Sequence, residues 1–112
     1  MNKEVNKRLR DALAACYAIQ SFIAGQTLSS YVTNLMVRSA VERQFEIVGE
    51  ALHRAEITDE TVVDVVPDLR RIVGLRNRII HGYDQVDHGI VWAIVSDDLL
   101  ELMAHLEAVV AE

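Results

Sequence analysis

The stretch YVTNLMVRSAVERQFEIVGEALHRAE, residues 31–56, decides the fold. Its apolar residues Leu35, Val37, Ala40, Val41, Ile47, Val48, Ala51, Leu52 and Ala55 recur at helical spacing, while Glu42, Arg43, Glu46 and Glu50 lie on the more polar side. This predicts one long helix over 31–56. Its apolar surface is broad enough to pack on more than one neighbour, a second subunit included. Ser29 or Ser30 is placed to cap it.

The flanking sequence repeats the pattern. Val5, Leu9, Ala12, Leu13, Cys16, Ile19 and Ile23 predict a helix over 3–24, with Gly25 as its stop in the left-handed region. Residues 57–66 are ambiguous, because Thr58 could cap a helix while Val62, Val63, Val65 and Val66 prefer strands. A lone strand would have no partner, so a short helix or an apolar loop is expected there. Pro67 opens the next helix, carried by Leu69, Ile72, Val73, Leu75, Ile79 and Ile80, and Gly82 ends or bends it. From a cap at Asp87, Ile90, Val91, Ile94, Val95, Leu99, Leu102, Met103, Leu106, Val109 and Val110 predict one last helix. The expected fold is all-α: an antiparallel bundle of four main helices with a possible short extra one, in one domain spanning 1–112.

Composition agrees. The 112 residues contain only 5 Gly and 1 Pro, too little turn chemistry for a many-stranded β fold. The single cysteine, Cys16, excludes an internal disulfide framework and reads as a buried small hydrophobe. No apolar run suits a signal peptide or a membrane span, so a cytoplasmic protein that is not membrane-bound is expected. The net charge of −6 argues against a general nucleic-acid coating protein. The charge is uneven: residues 79–112 hold no Lys or Arg, whereas Arg70, Arg71, Arg76 and Arg78 fall close together. Such a basic focus can hold one or two phosphates.

The densest chemistry is Arg76, Asn77, Arg78, His81 and Tyr83. An arginine fork grips phosphate through two hydrogen bonds, and a histidine exchanges protons near neutral pH. Phosphodiester cleavage needs both, and an RNA 2′-hydroxyl can serve as the nucleophile without metal or cofactor. Asn77 and His81 share a helix face, but Arg76 and His81 point about 140° apart. Either the long arginine curls round, or a second subunit supplies one of the two. Tyr83 would share the face of Arg76 only if Gly82 did not bend the chain. Taken alone, such a pattern is more often a solvated surface arginine and a histidine making a helix C-terminal contact than a catalytic pair.

The segment Gly74-Leu75-Arg76-Asn77-Arg78-Ile79-Ile80-His81-Gly82-Tyr83 resembles the Arg-x4-His-x-Tyr region of HEPN-domain toxins of the HepT-like group. Ala40-Val41-Glu42-Arg43 with Ile47-Val48-Gly49-Glu50-Ala51 is similar to that group's long second helix, and Val91 to Leu99 to its last. The resemblance implies a helical homodimer with its Arg/His pairs near a cleft between subunits. It also implies a metal-independent endoribonuclease, the toxin of a type VII toxin–antitoxin pair. Arg76 would then stabilise the phosphate, His81 transfer protons and Asn77 support them, with Glu50 positioned to orient Arg76 or Tyr83. It further implies an MntA-like nucleotidyltransferase antitoxin, which uses ATP to adenylylate Tyr83. The competing reading is a noncatalytic HEPN-like binding or regulatory module. His53 and His105 show no compact metal-ligand spacing, His88 pairs poorly with His81, and no glycine-rich phosphate loop is present.

Overall fold

The computed structural model describes residues 1–111. Among these the chain forms seven α-helices: α1 (Lys3–Ile23), α2 (Leu28–Thr33), α3 (Leu35–Thr58), α4 (Val62–Val65), α5 (Leu69–His81), α6 (His88–Asp97) and α7 (Leu99–Val110). A 3₁₀ turn, Tyr83–Gln85, follows α5. The all-α class therefore holds, but four main helices do not: two of the expected long helices are each broken in two.

The first break is at Asn34. Its carboxamide accepts the Val37 N–H at 3.1 Å, so the residue caps α3 instead of continuing α2. The turn ahead is also capped differently from the expectation. Thr27, not Ser29 or Ser30, is the N-cap of α2, and Ser30 completes the reciprocal capping box from the third position.

The second break is at Asp98, where φ is −110° and the carboxylate pairs with Arg71 Nη1 at 2.9 Å. In each case the two halves serve different neighbours. α2 packs on α6, while α3 spans α1 and α5; α7 packs on α1. One straight rod could not face both directions. The ambiguous valine-rich segment forms the single turn α4, and α5 starts two residues after Pro67.

Gly25 has φ +78° and ends α1, as its freedom in the left-handed region allows. The core joins Val5, Leu9, Cys16 and Ile19 of α1 to Val41, Phe45, Val48 and Leu52 of α3, and to Ile72, Leu75 and Ile79 of α5. Tyr31 is fully buried and stacks obliquely on Trp92 at 5.3 Å between ring centres. Long-range pairs show that α3 and α5 run antiparallel, because Glu50 meets Arg76 while Glu56 meets Arg70. No helix among the described residues is long and apolar enough to cross a membrane.

Candidate active site

The site begins with a close approach of two helices. Leu69, Ile72, Leu75 and Ile79 bury one face of α5, which puts Arg76 at the margin of that face, against α3. The backbone facing it belongs to Gly49. A Cβ at Gly49 would stand 2.3 Å from Arg76 Cβ and 2.7 Å from its Cγ, so only glycine lets the arginine stem lie there.

The guanidinium is then gripped from two sides. Nη2 donates to Glu50 Oε2, and Nη1 donates to Asn77 Oδ1 at 2.8 Å. Nε is buried without a hydrogen-bond partner among the described residues. Glu50 also accepts from Arg54 Nε at 2.6 Å through its other oxygen. The Arg54 hydrogen bond, then the Arg76 charge, hold the Glu50 carboxyl below the usual carboxylate range.

Arg76 and Glu50 line a groove of about 600 Å³ between α1, α3 and α5. Arg8 and Asp11 enter from α1, and Arg43 and Glu46 from α3, where the latter two pair at 3.0 Å. Ala15, Ile47, Ala51 and Ile80 supply apolar wall. The groove thus mixes the arginines Arg8, Arg43 and Arg76 with the carboxylates Asp11, Glu46 and Glu50.

The structure joins Arg76, Asn77 and Glu50; it does not bring His81 or Tyr83 to them. His81 is the exposed last residue of α5 and lies off the groove wall. Because α5 is unbroken from Leu69 to His81, the angular separation of Arg76 and His81 stands within one chain. Gly82 closes the helix by donating to Arg78 O at 2.8 Å. Tyr83 therefore leaves the helix direction and sits on the 3₁₀ turn, 79% exposed. Glu50 contacts Arg76, not Tyr83.

Sequence reasoning missed two features. Gly49 was detectable, since glycine inside a helix costs about 1 kcal/mol relative to alanine and so points to a close approach. The other is a correction. His105, which spacing left without ligands, meets Asp68 at 3.2 Å, and both lie beside Glu101. Asp68 is 37 residues from His105, and only the tertiary fold reveals the pairing.

The all-α fold is HEPN-like, with Glu50 on the long helix α3 and Arg76 and His81 on α5. The chain belongs to the ribonuclease HepT-like family, whose model matches residues 12–109. "Putative RNase MJ1380" of Methanocaldococcus jannaschii is 31% identical over 107 residues, covering 96% of this chain and 97% of the relative. "Gamma-glutamylcyclotransferase and putative RNase MJ0434" of the same organism is 25% identical over 112 residues, all of this chain but 50% of that protein. "Probable ribonuclease HepT" of Thermococcus cleftensis is 25% identical over 107 residues, 96% of each chain. No solved structure gives a significant match. Family membership supports a nuclease-type role in general.

Proposed function

We propose that this protein is a metal-independent endoribonuclease, the toxin of a toxin–antitoxin pair acting in the cytoplasm. The observation that carries the reading is Arg76, pinned on a groove wall by Glu50 and Asn77 in a chain of the ribonuclease HepT-like family. In the proposed reaction the RNA 2′-oxygen attacks the adjacent phosphorus as its proton leaves, and the 5′-oxygen departs with a proton. The products are a cyclic phosphate and a free 5′-hydroxyl. Arg76 neutralises charge developing on the phosphoryl oxygens, and His81 exchanges protons with the attacking or departing oxygen.

Arg76 and His81 diverge within one chain, so the reading requires a homodimer. Two α5 helices side by side would set His81 of one protomer against Arg76 of the other across a two-fold axis. Cleavage of defined RNA should fall by at least about 10²-fold in Arg76→Ala and in His81→Ala. Mixing the two inactive variants should restore activity, because a mixed dimer rebuilds one intact composite site. Unchanged cleavage by the folded double variant overturns the assignment.

The same reading makes Tyr83 the point of neutralisation. Its phenol is exposed on the turn directly after α5. Attack of the phenolic oxygen on the α-phosphorus of ATP, with loss of pyrophosphate and the phenolic proton, adds one phosphodiester charge near the site. Incubation with an MntA-like nucleotidyltransferase and ATP should add AMP mass to wild type, leave Tyr83→Phe unmodified, and spare that variant's cleavage. Modification of the Phe variant rejects Tyr83 as acceptor.

A noncatalytic binding module is the second reading, favoured by the three carboxylates that share the groove with its arginines. It predicts tight partner binding without RNA cleavage.

A further inference from the structure

Outside the groove, three metal-binding side chains converge where the start of α5 meets α7. Glu101 and His105 are one turn apart on α7 and share its face. Asp68 occupies the N-cap position of α5 yet makes no capping hydrogen bond. Its carboxylate turns instead to His105, with Oδ2 at 3.2 Å from Nδ1. Ligand atoms of all three residues lie within 4.8 Å of one another.

The surrounding charges leave this cluster unbalanced. Arg70 and Arg71, two and three residues after Asp68, pair instead with Glu56 at 3.0 Å and Asp98 at 2.9 Å. The sequence offers no Lys or Arg beyond residue 78. Among the described residues, neither Asp68 nor Glu101 forms an ion pair with a lysine or arginine, and His105 is the one basic partner of Asp68.

We propose that Asp68, Glu101 and His105 form a binding site for a divalent transition-metal ion, with Zn²⁺ the best match. One imidazole nitrogen and two carboxylate oxygens suit zinc, whereas Ca²⁺ and Mg²⁺ favour oxygen-only sets. Ligands about 2.1 Å from a tetrahedral zinc lie roughly 3.4 Å apart, and the exposed Glu101 side chain can rotate to close the remaining gap. Three protein ligands leave a fourth position for water. Asp68 is about 12 Å from Arg76 along α5, which makes the ion a clamp between helices rather than part of the groove.

The test uses chelator-treated full-length protein, with ZnCl₂ titrated calorimetrically and Tm followed in parallel. No RNA enters the assay, so its outcome is independent of the nuclease reading. One Zn²⁺ per chain and a rise in Tm are expected. His105→Ala should abolish uptake, and Glu101→Gln should weaken it about tenfold or more while leaving the metal-free Tm unchanged. Co²⁺ in place of Zn²⁺ should give a visible ligand-field band that the same variants lose. Absence of uptake, uptake that survives both substitutions, or uptake lost instead in His88→Ala overturns the proposal.

Discussion

Replacing Gly49 with alanine tests the packing on which the candidate site is built. The new Cβ would stand 2.3 Å from Arg76 Cβ, whereas carbon atoms rest about 3.5–4.0 Å apart. Both atoms are fixed to their backbones, so no rotamer change relieves the contact. α3 and α5 must separate locally by about 1.2 Å or more. Overpacking of this severity belongs near the top of the usual range, about 3 kcal/mol, and alanine returns about 1 kcal/mol of helix propensity. A net loss of about 2 kcal/mol lowers Tm by about 8 °C in a chain of this size. The same shift pulls the Arg76 guanidinium from Glu50, and a misplacement of about 1 Å can cost about 10²-fold in rate. Thermal melts and RNA cleavage should be measured beside Gly74→Ala, whose Cβ meets nothing within 4 Å at an exposed position of α5. That control should gain about 0.5–1 kcal/mol and keep its activity. Combining Gly49→Ala with Arg76→Gly should recover stability relative to additivity, because the clash needs both Cβ atoms. A Gly49→Ala protein melting at or above wild type would refute the packing argument.

Three further outcomes follow from local chemistry. Burial pushes the Cys16 thiol up to about 12, so thiol reagents should label native protein at neutral pH only as fast as it opens; rapid labelling without denaturant would contradict that environment. Thr27→Ala removes the capping-box oxygen of α2 and should cost about 1 kcal/mol in denaturant melts. The Glu50 carboxyl is depressed by Arg54 and then Arg76, so its stabilising contribution is present above the ordinary carboxylate range and is lost as pH falls through its lowered value. Glu50→Gln should therefore flatten the acid limb of a stability profile, and an unchanged limb would show that the carboxylate adds no pH-dependent stability.

Much of the architecture follows from short-range pattern. Apolar residues three and four apart place the helical stripes, Gly25 ends α1, and Asp87 caps α6 by accepting from Ile90. The motif from Gly74 to Tyr83, in order with the segments Ala40 to Ala51 and Val91 to Leu99, carries the resemblance to the family. The breaks at Asn34 and Asp98 escaped this reading because the apolar period runs through both. A side-chain cap ends the pattern at Asn34, whereas at Asp98 a turn redirects the two segments toward different neighbours.

Sequence alone determined that the chain is helical and that its densest polar motif falls near the end of one helix, since both depend on residues close in the chain. Tertiary structure decided that Gly49 admits the Arg76 stem, that Glu50 grips its guanidinium, and that Asp68 finds His105. It also decided that Tyr83 leaves the helix direction. These facts depend on how closely α5 settles on α3 and on where the chain around it brings Asp68, distances set by packing many side chains at once and carried by no local spacing.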